Sequence, residues 1–215
     1  MIKNLFGLPV YYTSILNEKY NKEDILDVIV KNYNKNKNRN EWDKNKSDAS
    51  NFHHSYNDQN NNLFDIINYD SLIPIYEKNI SNYLKSLNFN KNIKFNFTIT
   101  NYTCMTEGQH MNSHMHAGCH FSAIHYLKFD ENFNDTTLFF NPASYSKFLD
   151  NFSPNFLNFF DSADEKNTWL YPSFKFFTKE EDLIIFPSVL EHSVPIVKSD
   201  KYRITIAFNI SLESL

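Results

Sequence analysis

The spacing of apolar residues changes character near position 92. Before it the pattern is helical. Asn21 stands where it can cap a helix beginning at Lys22, with Glu23 and Asp24 in the first turn. Ile25, Val28, Ile29 and Asn32 then mark its faces. A second helix is predicted over 70–87, where Ile73, Tyr76, Ile80, Tyr83, Leu84 and Leu87 share one side. From Asn92 onward the runs are short and strand-like, over 93–104, 120–129, 137–141, 182–187, 194–198 and 203–212. The last run alternates cleanly: Ile204, Ile206, Phe208 and Ile210 face one way, and Arg203, Thr205, Ala207 and Asn209 the other. A further short strand is expected at 5–12.

Six or more short strands after a helical N-terminal part predict a mainly β (α+β) fold, a β-sandwich or jelly roll with helices packed outside. The 215 residues are read as a single domain, 1–91 helical and 92–215 the jelly-roll core. No internal repeat is present. Residues 34–62 are polar and Asn-rich, the pattern of a long, lid-like loop, and His53-His54 within it reads as a surface pair. The apolar helix faces suit either a core or a homodimer interface.

Charge narrows the function. A net charge of -4 and a pI near 6.0, without a basic stripe, exclude an electrostatic case for nucleic acid. The aromatic content of 17% with only three glycines reflects AT-biased coding rather than a functional signature. Arginine is confined to Arg39 and Arg203, so an arginine opening a strand where lysine is the default cation points to bidentate grip of a carboxylate. Cys104 and Cys119 form no C-x-x-C pair, and both are read as free thiols in a reduced cytoplasmic setting, Cys119 as a packed small residue. No signal peptide or transmembrane span is expected.

The chemistry concentrates in histidine. Of eight, five (His110, His114, His116, His120, His125) fall between 110 and 125. Crowded imidazoles repel one another when protonated, which suggests neutral rings around a metal. In an extended segment the i, i+2 spacing of His114 and His116 puts both rings on one side. His192 follows a strand-like run and a short turn, and Arg203 and Thr205 lie beyond it as Arg-x-Thr. His120 and His125 should point to opposite sides of one strand, and neither is assigned as a ligand.

In this order these residues resemble the 2-oxoglutarate- and iron(II)-dependent oxygenases, and most of all the 2OG-Fe(II) oxygenase family of marine bacteria and their phages. The likeness is carried by Gly108, His114, His116, the run Phe121-Ser122-Ala123-Ile124-His125-Tyr126-Leu127, Phe186-Pro187, His192, and Arg203-Ile204-Thr205-Ile206-Ala207-Phe208-Asn209. The opening Leu5-Phe6-Gly7-Leu8-Pro9-Val10-Tyr11 is also similar, whereas 34–62 carries little likeness.

The resemblance implies a double-stranded β-helix (cupin-like jelly roll) in which His114, His116 and His192 hold Fe(II). Arg203, with Thr205, would bind the distal carboxylate of 2-oxoglutarate, and Tyr126 is a further candidate contact. It implies oxidative decarboxylation to succinate and carbon dioxide, with dioxygen as co-substrate and hydroxylation of a C–H bond in a small-molecule or peptide substrate. One departure from the wider oxygenases stands out: the usual motif is H-x-D or H-x-E, and His116 occupies the carboxylate's place, as in the H-x-H variant of the family this chain most resembles. Three imidazoles also suit zinc or copper. Glu191 should diverge from its neighbour His192, and Glu107 could substitute only if the loop before His114 folds back. The Asn-x-Tyr pair that some relatives use upstream has no clear register in Asn101-Tyr102-Thr103-Cys104-Met105.

Two other readings stay open. One is a cupin-like three-histidine metalloprotein that does not use 2-oxoglutarate, for which Arg203 should lie at the surface or in a salt bridge. The other is a non-catalytic β-sandwich binding or structural module with a closed, four-ligand metal site.

Overall fold

The computed structural model describes residues 7–35, the backbone of 53–54, and residues 65–89, 93–132, 136–142, 155 and 170–214. Among the described residues, ten strands and two helices lie in this order: β1 (Tyr11–Ser14), α1 (Lys22–Lys35), β2 (His53–His54), α2 (Ile73–Ser86), β3 (Ile93–Met105), β4 (Met111–His114), β5 (Phe121–Lys128), β6 (Leu138–Phe140), β7 (Ser173–Lys175), β8 (Asp182–Pro187), β9 (His192–Val194) and β10 (Arg203–Ser214). They form a six-stranded sheet in the order β1-β8-β5-β10-β3-β2 and a four-stranded sheet in the order β4-β9-β6-β7. All pairings are antiparallel. Two facing antiparallel sheets with helices outside make the expected jelly roll.

The period-two pattern of β10 explains the layering. Ile204, Ile206, Phe208 and Ile210 are fully buried and pack with Ile25 and Ile29 of α1 and with Tyr76, Ile80 and Tyr83 of α2. The opposite face of the same sheet meets the four-stranded sheet. There Ile124 and Tyr126 of β5 and Ile184 and Phe186 of β8 pack with Phe139 of β6. Each large apolar side chain fully buried contributes about 1.5–3 kcal/mol, so both faces of the six-stranded sheet are held.

The helices start differently from the sequence pattern. Asn21 precedes α1, but its side chain is spent on Ser71 and on the carbonyl of Asn68. α2 begins at Ile73 rather than 70, because residues 70–72 form a turn and Pro74 favours the first helical positions. Its inner face therefore includes Ile75 and Asn79, while Ile73 is exposed. β1 spans 11–14 instead of 5–12; residues 1–6 lie outside the described residues. The 34–62 stretch contributes β2, whose His53 and His54 pair in register with Cys104 and Thr103 at the sheet edge; the rest of that stretch beyond 35 is outside the described residues. β4 and β7 have no clear alternation and escape the sequence pattern. The run expected at 194–198 falls earlier, so His192 opens β9 rather than ending a turn.

Behind the sheet lies a buried polar chain. The Tyr76 hydroxyl and His125 Nδ1 are 2.8 Å apart, and His125 Nε2 lies 3.2 Å from Glu181 Oε2. Glu181 also accepts from Tyr20 and pairs with Lys22. His125 thus points into the helix layer, away from the space between the sheets.

Candidate metal and carboxylate site

β4 and β9 build the histidine cluster. Their register pairs Met111 with Val194 and His114 with His192, with a bulge between. The extra β4 residue lets Met111 join Met105, Val194 and Val197 in a small apolar cluster while His114 still stands opposite His192. His116 follows β4, and its N–H donates to the Ser188 carbonyl at 3.0 Å, fixing it to the turn before β9. Gly118, at φ 81°, then turns the chain into β5 in a left-handed conformation that costs glycine little.

The candidate ligand atoms of His114, His116 and His192 lie within 4.8 Å of one another. Ring centroids are 4.3 Å apart for His114 and His192, 5.2 Å for His116 and His192, and 5.4 Å for His114 and His116. The Nδ1 atoms make three contacts of 2.9 Å, to the Asn112 carbonyl, the Asn209 Oδ1 and the Leu190 carbonyl respectively. Each partner oxygen can only accept, so each Nδ1 carries the proton and each Nε2 keeps its lone pair. Burial holds all three rings neutral: His114 is lowered from its ordinary value, His116 is lowered to about 4 and His192 to about 3, the last two also by the charge of a protonated His114. Neutral imidazoles with a free Nε2 are the form a metal requires.

The carboxylates weighed as substitutes for His116 stay outside. Glu191 is exposed and accepts from Ser113 Oγ at 2.6 Å, and Glu107 is exposed. His120 is exposed too, with Nδ1 accepting from the Leu212 N–H at 3.1 Å. Cys119 is half-buried rather than packed away, with its Sγ 3.7 Å from Ser122 Oγ.

Arg203 opens β10 on the face toward the four-stranded sheet. It is 0% exposed, and among the described residues Nε, Nη1 and Nη2 have no hydrogen-bond partner. Its Cζ lies 5.4 Å from the Tyr126 ring centroid and 5.8 Å from that of Phe129. Desolvation lowers the guanidinium's pKa, and Tyr126 partly offsets this. Thr205, two residues on, shares its hydroxyl with Thr103 at 2.7 Å. The Tyr126 hydroxyl donates to Thr137 Oγ1 at 2.7 Å and accepts from the Thr137 N–H at 3.1 Å, so this tyrosine offers its ring to Arg203. An unpartnered buried guanidinium is costly, and a carboxylate is the group that satisfies its donors in pairs.

Asn209 is the residue whose role the sequence reading missed. It lies in the quoted Arg203–Asn209 motif and on the Arg203 face of β10, and that parity was the available signal.

A jelly roll that gathers three imidazoles and buries an arginine between its sheets has the donors for a metal and a carboxylate. Residues 102–209, about half of the chain, match the family described as "Putative 2OG-Fe(II) oxygenase". The chain belongs to this family, which implies Fe(II) and 2-oxoglutarate as cofactors and dioxygen as co-substrate; its members are oxidoreductases.

Among solved structures, the chain resembles a prolyl hydroxylase from Trichoplax adhaerens in complex with a hypoxia inducible factor oxygen degradation domain peptide fragment. Identity is 11%, coverage 94% of this chain and 83% of that one, and the TM-score 0.53. A Pseudomonas putida prolyl-4-hydroxylase gives 8% identity, coverage of 94% and 92%, and a TM-score of 0.50. At such identities the likeness concerns the fold. A 2OG-Fe(II) oxygenase family oxidoreductase from Burkholderia pseudomallei is 12% identical over 68% of this chain, which spans 61% of that protein's length, with a TM-score of 0.43. No curated protein matches. Among the described residues no helix is long and apolar enough to cross a membrane.

Proposed function

We propose that the protein is a 2-oxoglutarate- and Fe(II)-dependent oxygenase that hydroxylates a C–H bond of its substrate. In this reading His114, His116 and His192 hold the metal through Nε2, and Arg203 binds the distal carboxylate of 2-oxoglutarate. The observation that carries it is Arg203: a cation 0% exposed, with three nitrogens unsatisfied among the described residues, in a fold that brings the ligand atoms of three histidines within 4.8 Å of one another. Such an arginine has no structural use that would repay its desolvation, and it fits a dicarboxylate held at its far end.

When bound, the iron and 2-oxoglutarate supply oxidative decarboxylation to succinate and carbon dioxide coupled to oxygen transfer to the substrate. The chain's own residues orient and exclude. Carbonyl partners fix the ring planes, and Phe139 and Phe186 pack against His192 at centroid distances of 5.9 and 4.9 Å, keeping water from one side. Tyr126 and Phe129 flank the guanidinium, with ring centroids 5.4 and 5.8 Å from Cζ, and hold it in place for the carboxylate. Thr205 lies on the same face and is the second candidate for that carboxylate. The aromatic content offers no choice between a small molecule and a peptide as substrate.

The test is anaerobic addition of Fe(II) and 2-oxoglutarate, which should give a weak visible charge-transfer band that Arg203→Ala abolishes. Turnover independent of 2-oxoglutarate would refute the proposal and favour the cupin-like reading, although the burial of Arg203 already weighs against it.

A further inference from the structure

The three histidines are not oriented alike. His114 and His192 each bond a carbonyl two residues back, Asn112 in β4 and Leu190 in the turn before β9. Those acceptors come with the backbone and survive any side-chain change. His116 instead bonds a side chain 93 positions away, Asn209 Oδ1, on a strand of the other sheet. The Asn209 oxygen is itself held: Ser122 Oγ, 0% exposed as a residue, donates to it at 3.1 Å, and Ser122 and Asn209 are register partners across β5 and β10.

An amide can present either end. With its oxygen toward His116, Nδ1 must carry the proton and Nε2 is free; with its NH2 forward, the proton would move to Nε2 and block it. We infer that Asn209, held in place by Ser122, is the positioning residue that makes His116 a metal ligand. This inference rests on the ligand reading of the preceding subsection. Asn209 acts through His116 and needs no contact with cosubstrate or substrate.

The inference has a chemical logic. A carboxylate ligand has no tautomers and binds metal from either oxygen, so an H-x-D site needs no such partner. An imidazole in the same position ligates through Nε2 in only one of its two neutral forms. A fixed acceptor at Nδ1 also raises the donor strength of the ring. Asn209 therefore answers a requirement that the change to histidine creates.

The experiment is anaerobic titration of the metal-free protein with Co(II) alone, read by its visible d–d bands, for the wild type and for His116→Ala, Asn209→Leu, Asn209→Asp and Ser122→Ala. Asn209→Leu should weaken Co(II) binding by about 10–100-fold, Ser122→Ala by less, and Asn209→Asp should restore affinity with shifted bands, since it keeps the acceptor. Wild-type affinity in Asn209→Leu, beside a collapse in His116→Ala, would overturn the inference and leave the ligand reading standing. Wild-type affinity in His116→Ala would instead sink the ligand reading itself. Should Asn209→Leu fail to fold, the His116 ring nitrogens of the metal-free wild type decide by NMR: a single Nδ1-protonated form is expected, and an Nε2-protonated or averaged ring would refute it.

Discussion

Arg203→Met should make the ligand-free protein more stable while destroying its response to 2-oxoglutarate. The guanidinium is 0% exposed with three unpartnered nitrogens, and burying a charge without a partner costs several kcal/mol. The rings of Tyr126 and Phe129, at 5.4 and 5.8 Å, return about 0.5–2 kcal/mol each. Methionine keeps most of the apolar stem and removes the charge, so a net gain of roughly 1–3 kcal/mol is expected, in the range seen when buried ionic groups are replaced by apolar ones. For a chain of this size that is a rise in Tm of roughly 3–10 °C. Saturating Fe(II) with 2-oxoglutarate at about 100 times its Kd should add about 2.7 kcal/mol to the wild type and nothing from 2-oxoglutarate to the variant. Urea unfolding under anaerobic conditions, with and without both additions, measures all four states. An Arg203→Met protein less stable than wild type without ligand, or one still stabilised by 2-oxoglutarate, would refute the reasoning.

Acid should weaken the metal-free fold through the histidines. The folded values of His116 (about 4) and His192 (about 3) lie below the ordinary 6.5, so the unfolded chain takes up protons first as pH falls. Between pH 6.5 and pH 5 the two together should remove about 3 kcal/mol, read as a falling urea midpoint that flattens in a His116→Asn, His192→Asn double variant. Glu181→Ala should cost about 1–3 kcal/mol in urea unfolding, because it removes the acceptor of Tyr20 and of buried His125 while Lys22 keeps Glu180; a change below about 0.5 kcal/mol would count against that network. Tyr76→Phe leaves His125 Nδ1 without its 2.8 Å partner and should cost about 1–3 kcal/mol, with metal affinity unchanged because His125 faces the helices.

Much of this architecture was legible wherever one residue type dictates one environment. The alternation in β10 gave its two faces directly, and the run 182–187 coincides with β8 because all six residues are buried. The spacing of His114 and His116, with distant His192, singled out residues that do meet in space, and the near-absence of arginine singled out a residue that is fully buried. Less was legible where tertiary context overrides pattern. β4 is four residues long with a bulge that changes its parity, so period two cannot reveal that Met111 and His114 both turn inward. β2 exists by pairing with β3, a partner 50 positions away in register. The start of α2 moved because a turn and Pro74 outcompeted the apolar period.

One strand links the two halves of the site. β10 lies between β5 and β3 near the middle of the six-stranded sheet, where a shift in register would turn its whole apolar face from the helices. Its inward face begins with Arg203 and ends its motif with Asn209 at the His116 ring. Even spacing puts both on one face, and Ile204, Ile206 and Phe208 between them hold the strand to α1 and α2. The proposed carboxylate anchor and the orientation of the third histidine therefore share a register. Deleting one residue between 203 and 209 makes their spacing odd, so the two cannot both face inward and at least one function should be lost, which charge-transfer and Co(II) titrations measure separately. Retention of both functions would show that the two ends are positioned independently.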